Sequence, residues 1–273
     1  MNKIGIQGIE GSFHHMAAEE FFLNGCQLLE YMTFDELARG VSLNECDQGI
    51  IAIENSIAGS ILPNYALLDR YGLSIVGEHY LRIDHNLMVS PGQKIEEIKE
   101  VHSHPMALLQ CKSFFEKHPH IKLVENNDTA LVAKEISGSN LVGIGAIASI
   151  KAANLFGLEI IETSIQTIKS NVTRFVVIQS SISKKKQKIS KAGWRFTLEH
   201  KRGSLATVLN VISDCNLNLT KIQSLPIIET PGKYAFFADL TFEIESDYFK
   251  AKSLIEIMSS SFKVLGEYEK GKF

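Results

Sequence analysis

The chain has 273 residues, 45% of them hydrophobic and 22% charged, with a formal net charge of -3. That composition belongs to a globular protein of roughly two domains and excludes a disordered or fibrous chain. Acidic and basic residues are interspersed, so neither a nucleic-acid stripe nor a polybasic membrane anchor is indicated.

The one basic run, KKKQK at 184–188, reads as solvated linker. The opening MNKIGIQGIEGSF lacks the apolar core of a signal peptide. No stretch approaches the ~20 apolar residues of a membrane helix, and a cytoplasmic protein is expected. Cys26, Cys46, Cys111 and Cys215 have no metal-like spacing and are expected as free buried thiols.

In chain order, KIGIQG predicts a strand and AAEEFFLNG a helix closed by Gly25. DQGIIAIENS predicts a buried strand, and ILPNYALLDRYG a helix stopping at Gly72. LSIVGEHYLRIDHNLMVS predicts a strand pair or one long crossing strand. EVHSHPMALLQCKSFFEKH predicts a strand tip, a turn and a helix, with Pro105 in the first helical turn. KLVENNDTALVAKEIS repeats the scheme with Asp128 as N-cap. LVGIGAIASIKAANLFG repeats it again, and SNVTRFVVIQ is a final apolar strand. The alternation predicts an α/β domain with a largely parallel, doubly wound sheet, whose ligand site lies at the carboxyl ends of its strands.

SSISKKKQKISKAG then breaks the pattern as an interdomain linker. WRFTLEH, GSLATVLNVISDCN, LNLTKIQSLPIIE, YAFFADLTFEI, DYFKAKSLIEIMSSS and FKVLGEY follow as a βαββαβ, ferredoxin-like unit. The Pro-Gly-Lys turn supports its hairpin.

Candidate chemistry collects at a few turns. Gly11 and Ser12 stand where a strand meets a helix, and free backbone N–H groups there can bind a carboxylate; a plain βα turn is the simpler alternative. His14 and His15 are adjacent and diverge on a helix, a poor metal pair. IENSIAGS at 53–60 puts a carboxylate, an amide and two hydroxyls at the end of a buried strand, compatible with both ligand contact and helix capping. His102 and His104 share a face only if the strand persists, and Pro105 argues for a turn instead of a metal site. There is no GxSxG, GxxxxGK[ST] or GxGxxG motif, Gly143-Ile144-Gly145 being a fragment of the last.

Five segments, in order, resemble the prephenate dehydratase family. GIEGSFHHMAA is similar to its N-terminal Gly-Thr/Ser-aromatic turn, and IAIENSIAGSI to its Pro-Ile-Glu-Asn-Ser…Gly segment, with Ala52 where proline is usual. VHSHPMALLQC resembles its Ser-His-Pro-Gln-Ala-Leu stretch with Met106 for glutamine, and GIGAIASIKAANLFGLEII its Ala-Ile-Ala-Ser segment. NVTRFVVI matches its Asn-x-Thr-Arg-Phe signature, and the C-terminal unit resembles the ACT regulatory module.

The resemblance implies a two-lobed catalytic domain, like the type II periplasmic binding proteins, at 1–179, a linker at 180–192 and an ACT domain at 193–273. It implies no metal or organic cofactor, and conversion of prephenate to phenylpyruvate, water and CO2 in phenylalanine biosynthesis. It makes Thr173 the catalytic hydroxyl, aimed at the departing C4 oxygen. Arg174 is then expected on the pyruvyl carboxylate, with a structural role as the alternative, and Phe175 in the core or on the apolar wall beside the ring, with Asn55, Ser56, Gly59 and Ser12 as further substrate contacts. Phenylalanine is expected between paired ACT domains, at Gly203, Ser204, Leu205, Asn218, Gln223 and Ser224, in a homodimer or homotetramer. Gln223 and Leu225 replace two charged residues of the usual effector strand. Arogenate dehydratase shares these motifs, and a non-catalytic amino-acid sensor is the rival of another class.

Overall fold

The computed structural model describes residues 2–180, 188–227 and 230–272. A first lobe is built from β1 (Lys3–Gln7), α1 (Phe13–Phe21), β2 (Gln27–Tyr31), α2 (Phe34–Ser42), β3 (Gln48–Asn55), the short β4 (Gly59–Ser60), α3 (Leu62–Arg70) and β5 (Ser74–Arg82). The chain crosses to a second lobe made of β6 (Asn86–Val89), β7 (Glu100–Ser103), α4 (Pro105–Gln110), α5 (Lys112–Phe115), β8 (Lys122–Glu125), α6 (Thr129–Ser139), β9 (Ile144–Ala148), α7 (Ile150–Phe156) and β10 (Glu159–Glu162). It returns through β11 (Val172–Gln179). A C-terminal unit follows: β12 (Lys191–Thr197), α8 (Ser204–Asp214), β13 (Asn218–Pro226), β14 (Tyr234–Thr241), α9 (Glu245–Met258) and β15 (Ser261–Tyr268).

Local chemistry sets the helix starts. Ser12 accepts from the His15 N–H at the head of α1, Asp128 accepts from Ala130 and Leu131 at the head of α6, and Pro105 opens α4. Helix α1 starts at Phe13 and ends at Phe21, short of Gly25. Elements with no counterpart in the sequence reading are β2, β4, β10 and α2, the last starting at a capping box of Thr33 and Glu36.

The sheets are mixed, not largely parallel. In the first lobe the order is β5-β11-β3-β1-β2, with β11 antiparallel to both neighbours. The second sheet runs β10-β6-β9-β7-β8, with β6 antiparallel to β9. The physical reason lies in the two crossings. Strand β5 leaves the first lobe with its carboxyl end toward the second, and β11 re-enters there by its amino end, so it must run the other way. LSIVGEHYLRIDHNLMVS accordingly forms two strands, β5 and β6, in different sheets.

The C-terminal unit has the sheet order β13-β14-β12-β15, all antiparallel, which is the ferredoxin-like βαββαβ arrangement. Strand β12 starts at Lys191, ahead of 193, and residues 181–187 of the expected linker, with most of KKKQK, lie outside the described residues. This sheet joins that of the first lobe through one bridge, Gly266 to Ile75. A Cβ on Gly266 would lie 2.3 Å from the Ile75 carbonyl oxygen, so only glycine permits this approach.

Two apolar layers enclose the first-lobe sheet. On the front, α1 packs Ala17 and Ala18 against Ile4, Ile6, Ala52 and Phe175. On the back, Ile53, Tyr65 and Val176 share a core with Ala235, Phe237, Leu265 and Tyr268 of the C-terminal unit. Fully burying a side chain such as Phe237 or Leu265 contributes about 1.5–3 kcal/mol, so this docking is part of the fold. Among the described residues, no helix is long and apolar enough to cross a membrane.

Candidate active site

A cleft of about 410 Å³ opens where the carboxyl ends of β1 and β3 and the amino end of β11 face the second lobe. The first lobe lines it with Ser12, Phe13, Asn55, Thr173 and Phe175, and the second with His104, Gln110 and Asp128. His85, in the crossing between β5 and β6, lies between the two groups.

A β-bulge decides which side chains of β3 reach the cleft. On β11, Arg174 pairs with Glu54 but Phe175 pairs with Ala52, so Ile53 is an extra residue on β3. Without that insertion, Ala52 and Asn55 would point to opposite faces, since strand side chains alternate. With it, Ala52 and Asn55 both line the cleft, while Ile53 enters the back core.

Thr173 is buried, 8% exposed, and held by an amide chain of fixed polarity. Asn55 Oδ1 accepts from the backbone N–H groups of Ile57 and Ala58 at 3.0 and 2.9 Å. Its Nδ2 must therefore donate, and does so to Thr173 Oγ1 at 2.9 Å and to Asn171 Oδ1 at 2.7 Å. With a lone pair of Oγ1 occupied, the Thr173 hydroxyl keeps its own hydrogen to give to a ligand. The polarity continues: Asn171 Nδ2 donates to Gln110 Oε1 at 2.9 Å, and that oxygen also lies 2.9 Å from His85 Nε2. His85 therefore carries a hydrogen on Nε2, and burial lowers its pKa, which favours the neutral ring. This chain crosses from one lobe to the other.

The remaining charge in the cleft is sparse. Among the described residues lining it there is no Lys or Arg. His14 is driven to a pKa of about 3 by burial, its ring packed edge-on to Phe175. Asp128 caps α6 through Oδ1, and burial raises its pKa against the pull of the two backbone N–H groups it accepts. The first turn of α1 opens on the cleft at Phe13 and His14. The first N–H groups of a helix have no intrahelical acceptor, and the helix dipole places partial positive charge there.

Arg174 is a correction. It does not line the cleft, because it follows Thr173 on a strand and leaves by the opposite face. There it donates from Nε to Glu78 at 2.7 Å, from Nη2 to Tyr268 Oη at 2.9 Å, and from Nη1 to Asp239. Burial alone would pull its pKa down, and Tyr268, Asp239 and Glu78 more than offset that, so it stays charged. Ser56 is also outside the cleft lining: its hydroxyl donates to the Ser170 carbonyl and accepts from the Val172 N–H, a clasp between β3 and β11. Gly59 is the first residue of β4, paired with Asn55, with φ of 80°, likewise away from the lining. Phe175, Asn55 and Ser12 are in the cleft with Thr173.

Residues that the sequence reading left out of the site are Asn171, Gln110, His85, His14, His104 and Asp128. Asn171 and Gln110 stood inside quoted motifs, but their roles depend on partners 116 and 61 residues away. His102 pairs with Glu100 at 3.0 Å, whereas His104 caps α4 and faces the cleft, so the two do not converge.

In the C-terminal unit the six expected effector residues occupy separate places. Ser204 and Leu205 line one hollow of about 110 Å³ beside Gly203, which starts α8 at φ 84°. Asn218 lines another, with Asn216 and Thr241. Gln223 and Ser224 lie further along β13 and line neither.

Residues 4–183 match the family model described as prephenate dehydratase. The chain is 38% identical, over 82% of its length, to an Arabidopsis thaliana protein named arogenate dehydratase/prephenate dehydratase 1, chloroplastic, and spans 57% of that relative. The fold superposes on the prephenate dehydratase of Staphylococcus aureus with a TM-score of 0.84 and 27% identity, covering 98% of this chain and 100% of that one. It superposes on GqqA, described as a novel type of quorum-quenching acylase, with a TM-score of 0.88 and 26% identity, covering 98% of each chain.

Proposed function

The chain belongs to the prephenate dehydratase family, and from that premise we propose that it is a carbon–oxygen lyase converting prephenate to phenylpyruvate, water and CO2. The observation that carries this reading is the Thr173 hydroxyl, fixed as a donor toward the cleft by Asn55. In the reaction the C1–carboxylate bond breaks, its electrons make the ring aromatic, and the C4–oxygen bond breaks. The departing hydroxide takes a proton and leaves as water.

Thr173 donates a hydrogen bond to that oxygen as negative charge develops on it. An aliphatic hydroxyl is too weak an acid to supply the proton alone at neutral pH, so the proton comes ultimately from solvent. The pyruvyl carboxylate belongs at the first turn of α1. The C1 carboxylate faces the apolar wall of Phe13, Ala52 and Phe175. A cation clamped on it would oppose its loss, and the cleft lining has none.

The second substrate reading is arogenate, favoured by one feature: the Asp128 carboxylate in the cleft suits an ammonium where prephenate carries a keto group. Asp128→Asn keeps the helix cap and is expected to lower turnover of arogenate more than that of prephenate. Equal losses would remove this reading.

We take 1–179 as the catalytic part and 193–273 as an ACT domain that binds phenylalanine in a cytoplasmic homo-oligomer paired through these domains. The ferredoxin-like topology and the Gly203 turn support the regulatory half. The test is to incubate the purified protein with prephenate at neutral pH, following phenylpyruvate by its absorbance in alkali, with and without phenylalanine. Turnover well above the spontaneous rate is expected; its absence with both prephenate and arogenate would refute the assignment.

A further inference from the structure

The strand pair that carries Thr173 has a second face. Thr173 pairs with Asn55 and points forward; the next pair, Arg174 with Glu54, points back. Every strand of the C-terminal sheet sends one polar side chain into that back face. Lys191 of β12 reaches Glu78 at 2.7 Å, and Asp239 of β14 and Tyr268 of β15 bond Arg174. Lys221 of β13 lies 3.3 Å from Glu54 Oε2, and Arg174 Nη1 lies 3.8 Å from the same oxygen. Arg174, Lys191 and Lys221 thus face Glu54, Glu78 and Asp239, three charges of each sign.

Lys221 is the loosest member. Its ammonium is buried yet makes no well-directed hydrogen bond, being held by the Glu54 charge and by the Tyr65 ring, whose centroid is 4.6 Å away. Glu54 is 38% exposed, unlike Glu78 and Asp239, and Lys221 is the cation nearest to it. Movement of β13 relative to the first lobe therefore acts first on the Lys221–Glu54 contact, one residue from Asn55.

The geometry points to Glu54 and Lys221 as positioning residues: their ion pair, joined to Arg174 and Asp239, holds Asn55 and Thr173 in register and makes turnover depend on the placement of β13. This rests on the reading of Thr173 as the donor to the leaving group. A donor misplaced by about 1 Å costs on the order of 10²-fold in rate, so a small shift of β3 against β11 is enough to be measured.

The test uses the full chain and the variants Lys221→Met, Glu54→Gln, their double and Lys221→Arg. Each is checked by circular dichroism and thermal melting, because removing one partner of a buried ion pair also costs stability. The expected result for Lys221→Met and for Glu54→Gln is a fall in kcat of about tenfold with KM within about twofold. The double is expected to be no slower than the worse single, and Lys221→Arg to recover most of the rate. Amide exchange in segments 50–56 and 172–176 is expected to quicken in Lys221→Met, although Lys221 lies on another strand. A folded Lys221→Met with kcat within about twofold of the parent, or single effects that multiply in the double, overturns the inference. A parent that does not turn over prephenate defeats the proposed function instead, and unchanged exchange in those segments would then overturn the positioning role independently.

Discussion

On β11, Thr173 and Arg174 leave opposite faces of the sheet, and their chemistry divides accordingly. Thr173→Ala is expected to lower kcat by ~10²–10³ with little change in KM, as loss of a positioned donor does, whereas Thr173→Ser retains most of the rate. Ser56→Ala removes the clasp on Ser170 and Val172, and because Ser56 is exposed a urea titration should show about 0.5–1.5 kcal/mol of lost stability with kcat largely kept. His14 gives a pH signature. Its folded pKa lies near 3 against an ordinary 6.5, so the unfolded chain takes up the proton first. The His14 contribution is complete above pH 6.5 and is lost as pH falls from there toward about 3. His14→Phe is expected to flatten that part of a melting-temperature profile; an unchanged slope would assign the acid sensitivity to other groups. Thr173 was legible as a motif residue. The misplacement of Arg174 was avoidable from the sequence, because neighbours on a strand cannot share a face. The donor role of Asn55 was not legible, since it depends on Thr173 Oγ1, 118 residues away.

The helices with strong end signals were the easiest elements to read. Asp128 and Pro105 mark the heads of α6 and α4 in the sequence as in the structure. Helix α2 carries an equally plain signal, Thr33 with Glu36, but β2 before it is short and only partly buried, so its sequence lacks an apolar run to mark a strand. Strand direction was the larger miss: alternating βα patterns suggest parallel neighbours, and nothing local in NVTRF reveals that β11 re-enters from the other lobe. The bulge at Ile53 was equally hidden, since it exists only in the pairing of β3 with β11. At the junction of the two sheets, Gly266→Ala drives a methyl group into the Ile75 carbonyl. Overpacking of this kind costs about 1–3 kcal/mol. A reduced urea midpoint with an unchanged m-value is the expected reading; an unaltered midpoint would mean that the two sheets separate easily.

At the scale of the molecule, the C-terminal unit is both a docked module and part of the first lobe's core. Its topology was visible in the sequence because each strand and helix is bounded by a turn and has its own period. Its attachment was not, because Lys191, Asp239 and Tyr268 become meaningful only when they meet Arg174 and Glu78. A fragment ending at residue 179 would expose Ile53, Tyr65 and Val176 and take Asp239 and Tyr268 from Arg174, leaving it Glu78 and the more distant Glu54. Breaking a buried ion network by removing partners costs about 3–5 kcal/mol, so the fragment is expected to be poorly folded by circular dichroism and inactive. A cooperative melt equal to that of the full chain would contradict this view of the interface.

If the Thr173 hydroxyl assists departure of the C4 oxygen, single-turnover release of phenylpyruvate from prephenate will separate the parent from Thr173→Val. Valine keeps the branched shape and removes only the hydrogen-bonding group. The expected result is a chemical step slower by ~10²–10³ with prephenate binding nearly unchanged. A valine variant that turns over at the parent rate would show that the hydroxyl takes no part in the reaction.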